Sequence, residues 1–90
     1  MSTSTINLDA FEPRVRAVLA QHARLSGDVA AMDARADLYQ AGMTSHASVN
    51  VMLALEGEFD VEFPDEMLNR SVFSSIQAIC QAVGSIGGNA

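Results

Sequence analysis

Apolar side chains recur three and four positions apart in three segments of this 90-residue chain. That spacing places them along one face of a helix, whereas a half-buried strand alternates apolar and polar residues. No run alternates in this way with turn residues at both ends, so an all-β fold is disfavoured. The three stripes are Leu8, Phe11, Val15, Val18, His22 and Leu25; Val51, Met52, Leu55 and Phe59; and Phe73, Ile76, Ile79, Cys80, Val83 and Ile86. The chain is therefore predicted to be all-α.

The helix ends are predicted from capping residues. Asp9 and Glu12 have the spacing of a capping box. The first helix therefore begins near Asp9 with Pro13 in its first turn, or else it begins nearer Glu12. The second helix is predicted to run from Ser45 to about Glu58, after a turn made by a glycine just before it.

Two more helical segments are predicted after the second helix. Residues 64–69 fit one short helical turn, with acids near its positive end. The last helix begins with another capping-box pair, Ser74 and Gln77. The sequence thus predicts four helices, three longer and a short third one, in a single domain over 1–90. Residues 1–7 and 87–90 are predicted to be disordered tails.

A long connection over residues 26–43 separates the first two helices. Connections of this length in small domains are usually pinned by buried side chains or serve a function. The predicted buried anchors are Val29, Ala30, Met32, Leu38 and Tyr39.

The formal net charge is −6, and the acidic residues are segregated. Residues 36–69 contain seven acids and no Arg or Lys. Such a surface repels nucleic acid and anionic membranes, so neither is predicted as a partner. A basic protein surface is the natural complement, although acids also serve simply to keep a small protein soluble.

The single cysteine, Cys80, excludes an intrachain disulfide and a cysteine-based metal cluster. Its position in the third stripe predicts a buried side chain rather than a nucleophile. The first residues lack the basic and apolar regions of a signal peptide, and no apolar run approaches the ~18 residues of a membrane span. A cytoplasmic, monomeric protein without a metal site is therefore expected.

The second helix carries two apolar faces. One face holds the second stripe and is predicted to be core. The other holds His46, Val49, Leu53 and Glu56, with Asn50 at its edge. A surface helix needs only one apolar stripe, so the second face indicates a surface for a partner. The alternative is a helix that is buried almost all round.

Ser45, at the start of the second helix, is the strongest candidate for a residue whose side chain takes part in a reaction. A serine in that position ordinarily caps the helix. Catalysis by its hydroxyl needs a base within hydrogen-bond reach. His46 is the next residue, so its side chain diverges by ~100°, and His22 belongs to another helix. The sequence therefore predicts that the protein is not an enzyme.

The stretch that begins at Asp37 carries a characteristic series of residues that covers about half of the chain. The series is Asp37-Leu38-Tyr39, Gly42-Met43, Ser45, Val49, Val51, Leu55-Glu56, Phe59 and Val61-Glu62-Phe63-Pro64-Asp65-Glu66. In this order, these residues resemble the pattern of acyl and peptidyl carrier proteins. Two departures are Thr44, where the family usually has Asp, and His46, where it usually has Leu. The resemblance implies a four-helix, acyl-carrier-protein-like bundle.

The segments around Ser45 and after Glu62 look most like small bacterial aminoacyl carrier proteins. Those proteins are served by stand-alone amino acid:carrier protein ligases that resemble the catalytic core of seryl-tRNA synthetase. The resemblance implies 4′-phosphopantetheine on Ser45, attached by a phosphopantetheinyl transferase, and glycine or alanine held on its thiol as a thioester. The partner-binding residues are then predicted to be Thr44, His46, Val49, Asn50, Leu53, Glu56, Met67 and Leu68.

Two other functions stay open at this point. The chain is also similar to carriers of acyl chains in fatty-acid or polyketide synthesis. It also fits a helical interaction module that never bears a prosthetic arm. A small hydrolase using Ser45 is disfavoured because no base is predicted beside the hydroxyl.

Overall fold

The structure, a computed structural model, describes residues 8–25 and 27–87. It contains three α-helices: α1 over Leu8–His22, α2 over Ser45–Phe59 and α3 over Ile76–Ser85. Two 3-10 turns lie between them, over Val29–Ala31 and Asp65–Met67. The described residues form no strand, and the all-α prediction is confirmed. Of the predicted tails, 1–7 and 87–90, residues 1–7 and 88–90 lie outside the described residues, and Gly87 is described as part of the turn that follows α3.

Helix α1 lies against both other helices and supplies one wall of the core. Phe11, Val15 and Val18 are buried as predicted, and so is Leu19, which the stripe did not include. The helix begins at Leu8, so Pro13 lies inside it, further in than either predicted alternative. Because proline has no N–H, one intrahelical hydrogen bond near the start of α1 is lost.

Of the five residues predicted to anchor the connection between α1 and α2, two are buried, two are partly buried and one is exposed. Val29 and Leu38 are buried, whereas Met32 and Tyr39 are partly buried against the core. Ala30 is exposed, so its prediction as a buried anchor is wrong. Its side chain faces solvent because the 3-10 turn buries Val29 instead.

Hydrogen bonds tie the same connection to two helices. The Arg16 guanidinium on α1 donates to the carbonyls of Val29, at 2.6 Å, and Met32, at 2.7 Å. At the other side, the Gln77 N–H on α3 donates to the Ala34 carbonyl at 2.9 Å, and the Leu38 N–H donates to the Ser74 carbonyl at 2.8 Å, just before α3. These bonds satisfy backbone groups that a loop would otherwise present to water, and they fix its path.

The second connection, between α2 and α3, begins where Asp60 ends α2 with a left-handed backbone at φ 55°. Its 3-10 turn follows Pro64 and has Asp65 and Glu66 in the first turn, as the acid pattern predicts. The predicted short third helix is thus a turn of three residues, and the count of four helices is not confirmed.

Helix α3 begins one residue later than its capping-box prediction. Ser75 is the N-cap, with its hydroxyl accepting from the Ala78 N–H at 3.0 Å. Ser74 was predicted in that role, but its hydroxyl donates to the Ser71 carbonyl at 2.9 Å. Five residues of the predicted third stripe are buried, and Ile86 is only partly buried. The buried ones are Phe73, Ile76, Ile79, Val83 and Cys80, which is 3% exposed.

Candidate functional site

Ser45 is the first residue of α2, and its side chain is exposed. The helix is capped by Thr44, whose hydroxyl accepts from the Ala47 N–H at 3.0 Å. Thr44 has the extended backbone of an N-cap, with φ −84° and ψ 167°. The Ser45 hydroxyl is therefore not needed as a cap, and no described residue hydrogen-bonds it.

Buried neighbours on both sides hold Ser45 in place. Met43, two residues before it, is 2% exposed, and Ala47, two residues after it, is 4% exposed. Gly42 has φ 121°, a conformation that glycine adopts easily and other residues rarely do. The turn closes with the Met43 N–H donating to the Leu38 carbonyl at 3.0 Å. The exposed hydroxyl thus stands on a backbone that is packed and hydrogen-bonded.

A cavity of about 550 Å³ opens directly beside Ser45. Its walls come from the start of α2, from the second connection and from one residue of the first connection. The lining residues are Tyr39, Ser45, Ser48, Val49, Met52, Leu68, Asn69, Arg70 and Phe73. Most of the wall is apolar, with polar groups at Ser48, Asn69 and Arg70. Met52 was predicted as core, and the structure places it half-buried in this wall.

Arg70 and Tyr39 meet across the cavity. The Arg70 guanidinium carbon lies 4.1 Å from the centre of the Tyr39 ring, a cation–π distance. Neither residue was among the predicted site residues. The sequence does contain one signal for Arg70, which is the only Arg or Lys after residue 35.

The structure leaves the second face of α2 exposed, as the helical wheel predicts. Val49 is 51% exposed and Leu53 is 56% exposed. His46 and Asn50 are exposed on the same side, as is Thr44 at the start of the helix. The alternative of a helix buried almost all round is therefore wrong.

The second connection extends that exposed face. Leu68 is 45% exposed and lines the same cavity as Ser45 and Val49. Met67 is half-buried and packs against the core. Large exposed apolar side chains that lie together usually mark a contact surface. A role of these residues in partner binding stays a prediction.

Glu56 differs from the other predicted partner-binding residues because it has a structural contact of its own. It is half-buried, and its Oε2 accepts from the Phe63 N–H at 2.9 Å. This bond holds the chain just after α2, where Phe63 enters the core at 4% exposure. Glu56 therefore positions the second connection, whatever it contacts in a complex.

The described residues around Ser45 make none of the contacts that would activate its hydroxyl as a catalytic nucleophile. In the part of the chain that the structure describes, neither His22 nor His46 hydrogen-bonds its hydroxyl.

No helix over residues 8–25 or 27–87 is long and apolar enough to cross a membrane.

Residues 13–83 match the family described as "Phosphopantetheine attachment site". The chain is 49% identical over 65 residues to a protein named "Aminoacyl carrier protein" from Agrobacterium fabrum, a match that covers 72% of this chain and 78% of the relative.

The chain is also similar to carrier proteins in solved structures. One match, with TM-score 0.79 and 45% identity, is to an engineered Bradyrhizobium japonicum glycine:[carrier protein] ligase complexed with carrier protein from Agrobacterium tumefaciens and AMP. It covers 81% of this chain and 97% of the other, so the matched chain is the small carrier protein. A second complex of the same two proteins, with ATP, matches with TM-score 0.81 and 45% identity over 84% and 99% of the chains.

Proposed function

The chain belongs to the phosphopantetheine attachment site family, a family of carrier domains rather than enzymes, and from this premise we propose that Ser45 bears a 4′-phosphopantetheine arm. The observation that carries the proposal is the state of the Ser45 side chain. It is exposed, its hydroxyl has no hydrogen-bond partner among the described residues, and Thr44 does the capping. A transferase can therefore modify the hydroxyl without disturbing the fold.

The residues around Ser45 fit such an arm. The phosphate would lie at the start of a 15-residue helix, where the helix dipole favours negative charge. The chain of the arm would run beside the apolar wall formed by Val49, Met52 and Phe73, with Asn69 as a polar partner. When attached, the arm supplies a terminal thiol on which a cargo is held as a thioester. The domain would comprise the whole chain, 1–90.

We propose an amino acid as that cargo, and within that class glycine or alanine. The proposal is supported by the relative named "Aminoacyl carrier protein" and by the relative complexed with a glycine:[carrier protein] ligase. The partners would be a phosphopantetheinyl transferase and an amino acid:carrier protein ligase that resembles a seryl-tRNA synthetase core. A cytoplasmic location stays a prediction. The description as a four-helix bundle also stays a prediction, with the turn Asp65–Met67 in the place of the third helix.

The ligase would dock on one continuous surface, which we call the docking face. It consists of Thr44, His46, Val49, Asn50, Leu53, Glu56, Met67 and Leu68. Any enzyme that receives the arm must approach this surface, because the arm leaves from the start of α2 beside it. The exposed apolar side chains at its centre gain most from burial in a complex, and the acids of the second connection would steer a basic partner.

A second cargo class has one observation in its favour. The apolar wall beside Ser45 suits a hydrocarbon chain as well as it suits the arm itself. Under this alternative, the protein carries fatty-acid or polyketide-type acyl groups. A loading assay with a glycine:carrier protein ligase and an acyl:carrier protein ligase decides between the two cargo classes. The ligase of the correct class should load the holo-protein at the lower concentration of holo-protein.

Intact mass spectrometry tests the attachment. Incubation with coenzyme A and a broad-specificity transferase is expected to add one arm, about 340 Da from its composition, to the unaltered protein. Ser45→Ala is expected to add nothing, because the only proposed acceptor oxygen is gone. The variant should keep its circular dichroism spectrum and its melting temperature, since Thr44 rather than Ser45 caps α2.

Cys80→Ser is the control that separates the arm's thiol from the protein's own thiol. Cys80 is 3% exposed in the core, where no ligase reaches it. The variant should therefore accept both the arm and the amino acid at the normal stoichiometry. If Ser45→Ala folds and still gains the arm, or if Cys80→Ser folds and loses only the amino acid, the assignment of the site is wrong.

A further inference from the structure

Arg70 is an isolated cation in the acidic half of the chain. Residues 36–90 contain seven carboxylate side chains and, apart from His46, no other basic side chain. The ion pairs within 8–25 and 27–87 join Arg14 to Glu58 and Arg16 to Glu12, and Arg70 takes part in neither. In a region with so many acids, a guanidinium without a carboxylate partner has its charge available for another anion.

The contact with Tyr39 determines how Arg70 presents that charge. The guanidinium carbon lies over the ring, 4.1 Å from its centre, so the aromatic face holds the cation on one side. The five N–H donors of an arginine lie in the plane and point outward from its edge. Since the ring accepts no conventional hydrogen bond and Arg70 takes part in neither of the two ion pairs above, N–H donors remain for an oxyanion, and the ring restricts the motion of the side chain.

Arg70 also stands at the right place for an anion attached to Ser45. Both residues line the same cavity of about 550 Å³, Ser45 from α2 and Arg70 from the second connection. The neighbouring wall carries no carboxylate, since its other polar residues are Ser48 and Asn69. A negative group on the Ser45 oxygen would thus face one positive side chain and no negative one across the cavity.

We propose that Arg70, held on the Tyr39 ring, binds the phosphodiester that joins the arm to Ser45. This inference rests on the proposed function, because the phosphodiester exists only if Ser45 carries the arm. Arg70 is then a positioning residue. It fixes the first atoms of the arm over the cavity, whose lining includes Val49 and Leu68 of the docking face, rather than leaving them free at an exposed helix end.

The test is a thermodynamic cycle in which attachment of the arm is one change and loss of the guanidinium is the other. Apo and holo forms of the unaltered protein, Arg70→Gln and Arg35→Gln are prepared with coenzyme A and a transferase. Arg35 is the matched control, because it is exposed and outside the cavity lining. Mass spectrometry first establishes that all three proteins gain one arm, so a failure of the proposed function is seen separately.

The melting temperatures are then compared at low and high salt. The shift in melting temperature on addition of the arm is the quantity to compare. It should be more positive, by about 1 to 4 °C, in the unaltered protein and in Arg35→Gln than in Arg70→Gln. The difference should nearly vanish in 1 M NaCl, where exposed charges are screened within ~3 Å. Equal changes in all three proteins at low salt would overturn the inference.

Nuclear magnetic resonance gives a readout that needs no substitution. On conversion of the unaltered protein from apo to holo, the Nε–H resonance of Arg70 should move and its exchange with water should slow, while that of Arg35 stays in place. The ³¹P resonance of the phosphodiester should differ between the unaltered protein and Arg70→Gln and agree between the unaltered protein and Arg35→Gln. Superimposable spectra of the Arg70 group in apo and holo protein would overturn the inference.

Discussion

The two connections between the helices are both long, but the structure ties them down in different ways. The first is held by other elements: the Arg16 side chain on α1 donates to two of its carbonyls, and the Gln77 N–H on α3 donates to the carbonyl of Ala34. The second bonds mostly within itself, with Met67 N–H donating to the carbonyl of Pro64, although the Phe63 N–H donates to Glu56 on α2 and the Ser74 carbonyl accepts from the Leu38 N–H. It also leaves Leu68 45% exposed, beside Ser45.

This difference indicates that the first connection positions Ser45 and that the second presents side chains to a partner. A connection bonded to α1 and α3 has few alternative paths, and it delivers the chain to Ser45 at a fixed position. A connection that bonds mostly within itself can present side chains to a partner without loosening the core, because two buried rings, Phe63 and Phe73, anchor it there. Substitutions in the first should change stability, and substitutions around the second should change partner binding.

The largest expected effect is on stability, from Arg16→Met. The change removes the charged donor to the carbonyls of Val29 and Met32, and those carbonyls lie under a side chain that is 18% exposed. A loss of about 2 kcal/mol in the free energy of unfolding is expected, since hydrogen bonds to charged groups contribute roughly 1.5–3 kcal/mol. Urea unfolding measures it, and loading of the folded protein at low temperature should be normal.

Arg35→Met is the control for that measurement. Arg35 lies in the same connection and is exposed, so its free energy of unfolding should change by no more than ~0.5 kcal/mol. If Arg16→Met is as stable as Arg35→Met, the first connection is not held from outside and the contrast between the two connections fails.

The next effect is on partner binding, from Val49→Asp and Leu53→Asp on the docking face. Each should reduce ligase-dependent loading tenfold or more, because burying an unpaired carboxylate costs more than the ~1.4 kcal/mol that tenfold represents. The melting temperatures should hardly change, since the two side chains are 51% and 56% exposed.

Ala30→Asp is the matched control on the first connection. Ala30 is exposed in the 3-10 turn Val29–Ala31, so it receives the same charge change away from the docking face. Its loading rate should equal that of the parent. A variant of Val49 or Leu53 that melts much lower than the parent would place that side chain in the core and move the docking surface elsewhere.

The smallest expected effect is on stability, from substitutions of Thr44 and Ser45 at the start of α2. Thr44→Ala should lower the free energy of unfolding by about 1 kcal/mol, the usual cost of losing an N-cap, and Thr44→Ser should restore it. Ser45→Ala should change it less than Thr44→Ala does. The opposite order in thermal unfolding would mean that Ser45 caps the helix in solution.

Much of the candidate site could be predicted from the sequence, because it depends on local periodicity. The wheel of α2 separates Val51, Leu55 and Phe59, which are buried, from Val49 and Leu53, which are exposed. Helical side chains at these spacings must share a face, so no tertiary information is needed. The position of Ser45 at the start of that helix follows from the same pattern.

The sequence determined less at the helix ends, where two neighbouring residues are chemically equivalent. Thr44 and Ser45 both carry a capping hydroxyl, as do Ser74 and Ser75. The backbone decides which one is used: Thr44 and Ser75 have extended conformations at the cap, with ψ 167° and 162°. Those angles depend on how the connection enters the helix, which tertiary hydrogen bonds fix.

Only the tertiary structure decided which distant residues meet at Ser45. Arg70 follows it by 25 positions and comes to the same cavity because Phe63 and Phe73 anchor the second connection at both ends. Tyr39 arrives from the other side because Leu38 is buried and bonded next to α3. Local periodicity contains no information about such contacts, since they depend on the packing of three helices and the paths of two connections.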